Sequence, residues 1–293
     1  MDGSSERLSV AVVQMNSRDD KQANIEAALA GIDRAALGGA RFVTLPEIWP
    51  YLGPDRDNYE NAEPIPGRTS NLLAERARRH GIHLHAGSML ERVDGRELLL
   101  NTSIVFDPQG DIVARYSKIH MFDVVLDGVA SYRESATVAP GDAIVTVDID
   151  GFTVGLTICY DLRFPELFRI LALRGADAIV LPAAFTMTTG KDHWETLIRA
   201  RAIENQLYMI APAQVGQHPP GNWSYGRSMI VDPWGTVLAT APDEETVIFA
   251  ELSKERTRAV RRQVPSLANR QPTAYAWPQG EPAGAGRGIA AVR

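Results

Sequence analysis

The chain has 293 residues, 45% hydrophobic and 23% charged, with 30 Lys and Arg against 36 Asp and Glu. These proportions belong to a globular protein and exclude a disordered or collagen-like chain, and a formal charge of −6 offers no basic face for nucleic acid. One cysteine excludes an internal disulfide, no apolar run reaches the ~18 residues of a membrane span, and residues 1–7 lack the layout of a secretion signal. The expectation is a cytoplasmic protein without membrane or nucleic-acid partners.

Apolar spacing alternates between strand and helix along the chain. The β-branched run at 8–13 predicts a strand, and Ile25, Ala28, Leu29, Ile32 and Ala36 fall at helical spacing within 21–37, stopped by Gly38-Gly39. A strand over 41–45 ends at Pro46, Ser70 is expected to cap a helix running to His80, and 82–88 returns as a strand. Asp107-Pro108-Gln109-Gly110 predicts a hairpin turn between 103–106 and 112–116, and Asp150-Gly151 another between 144–149 and 152–158. Beyond Cys159 the pattern predicts a helix over 165–174, a strand over 178–181 and a helix over 192–205. Strands at 207–211, 229–231, 237–239 and 247–250 and a helix from Ser253 to about residue 262 complete it.

Hairpins require an antiparallel component, and the helices require sheet faces to cover. The order therefore fits a layered α/β sandwich better than a doubly wound nucleotide fold. No linker composition interrupts the chain, so residues 1–278 read as one domain, and 279–293, rich in Gly, Ala and Pro, as a flexible tail.

Three reactive residues stand at predicted strand ends: Glu47 after Phe42-Val43-Thr44-Leu45-Pro46, Lys118 after 112–117, and Cys159 after Val154-Gly155-Leu156-Thr157-Ile158. Strand ends display side chains on a rigid support, and a cysteine before a helix feels the positive end of its dipole. A thiol needs a base, which a carboxylate supplies, and an ammonium stabilises the oxyanion of a tetrahedral intermediate. Spacing alone does not join the three, and a lone cysteine is also read as a small buried hydrophobe.

The stretch Thr157-Ile158-Cys159-Tyr160-Asp161-Leu162-Arg163-Phe164-Pro165-Glu166 resembles the cysteine motif of the nitrilase, or carbon–nitrogen hydrolase, superfamily. Leu45-Pro46-Glu47 is similar to its glutamate motif and Tyr116-Ser117-Lys118-Ile119-His120-Met121-Phe122-Asp123 to its lysine motif, in a resemblance running from about residue 8 to 274. It implies a four-layer αββα sandwich, a homodimer or higher homo-oligomer, and no cofactor or metal. The implied triad is Glu47 as general base and acid, Lys118 as oxyanion stabiliser and Cys159 as nucleophile, with the Tyr160 backbone N–H as second oxyanion donor. Glu134, in Tyr132-Arg133-Glu134-Ser135, matches a second glutamate that positions the lysine in relatives; the plainer reading is a solvated loop carboxylate.

Cys159-Tyr160-Asp161 departs from the Cys-Trp-Glu of true nitrilases and resembles the amidase branch holding deaminated-glutathione amidase and ω-amidase. The implied activity is hydrolysis of a small carboxylated amide, such as deaminated glutathione or a related 2-oxo acid ω-amide, through a cysteine thioester with release of ammonia. An N-carbamoyl amidohydrolase and a catalytically idle binding module of the same fold are the alternatives. A substrate carboxylate needs a cation: Arg163, four residues after Cys159, is a candidate clamp, or else a surface ion-pair partner. Thr189 is a candidate hydroxyl donor to the same carboxylate, or else a helix cap. His83 and His85 share one side of a strand, but no third metal ligand accompanies them.

Overall fold

The computed structural model describes residues 6–126 and 130–274, so the tail expected over 279–293 lies outside it. The first half runs β1 (Arg7–Gln14), α1 (Lys21–Leu37), β2 (Phe42–Thr44), α2 (Asn58–Asn61), α3 (Arg68–His80), β3 (His83–His85), β4 (Met89–Glu91), β5 (Leu100–Phe106) and β6 (Ile112–Ser117). The hairpins β7 (Asp123–Leu126) with β8 (Ala130–Arg133) and β9 (Thr146–Ile149) with β10 (Phe152–Leu156) follow. Then come α4 (Pro165–Leu173), β11 (Ala178–Val180), α5 (Met187–Asn205), β12 (Tyr208–Ala211), β13 (Val215–His218) and β14 (Asn222–Tyr225). The chain continues through β15 (Met229–Val231), β16 (Val237–Thr240), β17 (Thr246–Ser253) and α6 (Lys254–Gln263). Among the described residues, no helix is long and apolar enough to cross a membrane.

Two mixed sheets form the centre. In the first, β17, β1, β2, β3 and β5 lie side by side, β4 joins the same edge of β5 as β3, and β6 pairs the other edge. The second has the order β16-β15-β12-β11-β10-β9, parallel through β10, β11 and β12 and antiparallel outside them. Alternation along β1 separates the layers: Leu8, Val10 and Val12 join the core shared with the second sheet, while Ala11 and Val13 pack with Ile25, Ala28 and Ile32 of α1 and Leu73 and Ala77 of α3. Each such fully buried Val or Leu contributes roughly 1.5–3 kcal/mol. On the far face, Leu167, Phe168 and Leu171 of α4 and Trp194 and Ile198 of α5 cover the second sheet. The layers are therefore helix, sheet, sheet, helix, the αββα order expected.

The Asp150-Gly151 turn has positive φ at both positions, 51° and 86°, the conformation for which this dipeptide is favoured in two-residue hairpins. Elsewhere the chain departs from the expectations. Ser70 is the third residue of α3 rather than its cap: Gly67 opens the helix and donates its N–H to Ser70 Oγ at 2.7 Å. Helix α5 begins at Met187, five residues ahead of the expected start at 192, because Thr186 caps it and Gly190 lies inside it. That glycine is demanded by packing, since a Cβ there would stand 2.3 Å from Tyr225 Cβ on β14. Strands β4, β7, β8, β13 and β14, three or four residues each, are not foreseen in the pattern.

Candidate active site

The three strand ends meet. Glu47 follows β2 and Lys118 follows β6 of the first sheet, Cys159 follows β10 of the second, and all three side chains are buried. Lys118 Nζ donates to Glu47 Oε1 at 3.1 Å and to Glu134 Oε1 and Oε2 at 3.0 and 2.9 Å. Asn101 Nδ2 donates to Glu47 Oε1 at 3.0 Å, and the Ala184 N–H to Oε2 at 2.8 Å. Glu134 is fixed in turn by the Phe122 N–H at 2.6 Å, so it is no free loop carboxylate.

Charge in this enclosed space decides the protonation states. Burial works against the Lys118 charge, but Glu47 and Glu134 outweigh it and hold the ammonium well above its ordinary range. Burial pushes the Cys159 thiol up, and the Glu47 carboxylate pushes it further against the opposing pull of Lys118. The resting sulfur is therefore a neutral thiol, hydrogen-bonded to Glu47.

Cys159 occupies the left-handed region with φ of 45°, costly for a residue with a Cβ and maintained only where the surroundings enforce it. Enforcement comes from its N–H bond to the Pro182 carbonyl at 2.9 Å and from Asp161. Fully buried Asp161 accepts from the Ile158 N–H at 2.8 Å and the Tyr116 hydroxyl at 2.6 Å on Oδ2. On Oδ1 it accepts from the His120 ring Nδ1 at 2.7 Å and the His120 N–H at 3.2 Å. One carboxylate thus ties the turn carrying the cysteine to residues on both sides of the lysine. Tyr160 is the second residue of the 3-10 turn Cys159–Arg163, so its N–H has no acceptor within that turn.

A cavity of about 600 Å³ opens onto Glu47, Lys118, Glu134 and Cys159. The β7–β8 hairpin supplies one wall through Tyr132 and Arg133, and β13–β14 another through His218, Asn222 and Trp223. Thr189 is on the wall, with its hydroxyl 2.9 Å from that of Thr186, the residue that caps α5. Arg163 stands one side chain back: its guanidinium carbon lies 5.2 Å from the Phe185 ring centre and 5.8 Å from that of Tyr160, and both rings line the cavity. Its polar contact is His193 Nδ1 at 3.4 Å, and no carboxylate pairs with it among the described residues. His83 meets Asp150 at 3.2 Å, while His85 is sealed in the core with Nδ1 accepting the Gly87 N–H at 3.1 Å.

Sequence reasoning does not single out Asn101, Arg133, Asp161 or His218. Asp161 carries a weak signal, a carboxylate two residues beyond Cys159. The other three leave none: Asn101 reaches Glu47 from β5, and Arg133 and His218 reach the cavity from two short hairpins whose positions only the folded chain defines.

Comparison with known proteins agrees with the geometry. A family model described as carbon-nitrogen hydrolase matches residues 9–262. A deaminated glutathione amidase of Synechocystis sp. is 43% identical over 263 residues, spanning 89% of this chain and 97% of that protein. Omega-amidase NIT2 of Homo sapiens is 38% identical over 269 residues, 91% of this chain and 96% of its own. Among solved structures, Saccharomyces cerevisiae Nit3, described as a member of branch 10 of the nitrilase superfamily, has a TM-score of 0.82 at 33% identity, covering 90% of this chain and 97% of that one. A sandwich built this way, with relatives of this similarity along nearly its whole length, belongs to the carbon–nitrogen hydrolase family of the nitrilase superfamily, hydrolases of carbon–nitrogen bonds other than peptide bonds.

Proposed function

We propose that this protein is an amidase for a small carboxylated amide, either deaminated glutathione or a related 2-oxo acid ω-amide, working through Cys159. The observation that carries the reading is the Lys118 ammonium held between Glu47 and Glu134 at the buried thiol. As the Cys159 sulfur bonds to the amide carbon, Glu47 takes the thiol proton. Lys118 and the Tyr160 N–H stabilise the oxyanion that forms on the carbonyl oxygen. Glu47 then passes its proton to the departing nitrogen as the C–N bond breaks, leaving a thioester. Water gives a proton to Glu47 and attacks the thioester, and the carboxylate product leaves as that proton returns to sulfur. Glu134 acts by holding Lys118 in place.

An anionic substrate suits the cations present. Lys118 is committed to two carboxylates, whereas Arg133 on the wall has no carboxylate partner among the described residues. Arg163, whose polar contact among the described residues is a long one to His193, turns past Phe185 to meet a substrate carboxylate beside Thr189. We further propose that residues 1–278 act as one catalytic unit in a homodimer, covering apolar side chains exposed on α4 and α5 such as Leu173 and Ile203.

A primary ω-amide releases ammonia, but deaminated glutathione is a secondary amide whose leaving group is an amine, so the assay must read the acid product common to both. The test is release of 2-oxoglutarate from deaminated glutathione and from 2-oxoglutaramate, with wild type and Cys159→Ala in parallel. Release that vanishes in the variant supports the reading; release that survives overturns it. An Arg163→Ala variant is expected to raise KM for carboxylated amides, and an equal effect on neutral amides would remove its clamp role.

A further inference from the structure

His218 ends β13 on the wall of the cavity and is only 2% exposed. Its Nδ1 lies 2.7 Å from the Ser17 carbonyl oxygen. A carbonyl only accepts, so Nδ1 carries the proton and Nε2 presents a lone pair. Burial holds the ring below its ordinary pKa, which keeps it neutral. Nε2 itself is buried and has no hydrogen-bond partner among the described residues.

The ring is also fixed in relation to the base. The Ser17 N–H donates to Gln214 Oε1 at 3.0 Å, and Gln214 Nε2 donates to Ser17 Oγ and to the Glu47 carbonyl, each at 3.0 Å. An acceptor of set tautomer and set position, left without a donor beside a cavity, is an incomplete pair that a ligand donor completes.

We infer that His218 Nε2 accepts an N–H of the substrate's leaving group, and that it selects amides whose nitrogen carries a peptide-like chain over primary amides. This rests on the amidase reading above and adds to it a residue that distinguishes its two candidate substrates. The chemistry follows from what each compound offers. 2-Oxoglutaramate carries only the hydrogens of its scissile amide nitrogen, which the Glu47 proton transfers engage. Deaminated glutathione carries a second amide N–H beyond the scissile bond. A cavity of about 600 Å³ lies within the ~300–1,000 Å³ that holds ligands larger than a five-carbon amide. Asn222 and Trp223 form the exposed rim beside His218, and admission of the longer chain to the buried Nε2 requires them to move.

The test compares wild type with His218→Phe on three compounds: 2-oxoglutaramate, deaminated glutathione, and the deaminated glutathione analogue in which an ester oxygen replaces the second amide N–H. In wild type, the ester analogue is expected to lose about 3- to 10-fold in kcat/KM relative to the amide, as for one neutral hydrogen bond. In His218→Phe that difference should disappear, and the ratio of kcat/KM for deaminated glutathione to that for 2-oxoglutaramate should fall by a similar factor. Equal losses on all three compounds would reduce His218 to a structural role and overturn the inference. Wild-type indifference to the ester would overturn it without any variant, which covers a His218→Phe that does not fold. Wild-type turnover of 2-oxoglutaramate alone would overturn the inference and leave the amidase reading standing. Turnover of neither amide would remove both.

Discussion

Replacing Asp161 with Asn tests whether one buried carboxylate holds the catalytic geometry. The wild-type side chain accepts four hydrogen bonds, two on each oxygen, and donates none. An Asn amide has one oxygen and one NH2, so one pair of donors must face a donor. If NH2 takes the Oδ2 place, the Tyr116 hydroxyl can rotate to accept, but the Ile158 N–H cannot. If it takes the Oδ1 place, the His120 ring can change tautomer, but the His120 N–H cannot. Either way a main-chain N–H is orphaned, at roughly 1–3 kcal/mol, and the bonds that survive lose their charge assistance. The expected loss is about 2–4 kcal/mol of unfolding free energy, read as a lower denaturant midpoint at unchanged slope. Freeing Ile158 also loosens the strained turn at Cys159, and a displacement near 1 Å costs about 100-fold in turnover. Cys159 is the chain's one cysteine, so its alkylation rate reports the same turn directly. Stability within about 0.5 kcal/mol of wild type, together with turnover within about two-fold, would refute this account of the clamp.

Lys118→Met leaves Glu47 and Glu134 facing each other without their shared cation. A loss of about 3–5 kcal/mol of unfolding free energy is expected, together with a fall in kcat of at least about 100-fold; denaturation and steady-state kinetics check both. His85 is sealed in neutral form, its pKa lowered by burial to about 3. Its contribution is complete above the ordinary histidine value of 6.5 and is lost as pH falls from there toward 3, up to about 5 kcal/mol. Replacement by Gln should flatten the stability profile across that window. Gly190→Ala should destabilise by about 1–3 kcal/mol despite alanine's better helix propensity, because the new Cβ meets Tyr225 at 2.3 Å. Since β14 walls the cavity, KM should rise as well; a more stable variant would show that α5 and β14 can separate freely.

The local pattern decided much by itself. Helix α1 coincides with the expected span, because its apolar spacing is uninterrupted and Gly38 stops it. The Asp150-Gly151 hairpin is explicit, because its turn needs residues tolerant of positive φ. The motifs around Glu47, Lys118 and Cys159 carried the family. Where α5 begins, by contrast, was decided by a partner: Thr186-Met187-Thr188-Thr189-Gly190 has poor helix propensity, and burial against Tyr225 overrides it. The short hairpins β7–β8 and β13–β14 lie outside both large sheets and take their places from the walls they build, which no periodicity encodes. Cys159 is 41 residues from Lys118 and 112 from Glu47 by the chain numbering. Their meeting, the neutral thiol it produces, the grip of Asp161 and the open lone pair of His218 arise because two sheets bring distant strand ends into one enclosure, where charges act strongly across short distances.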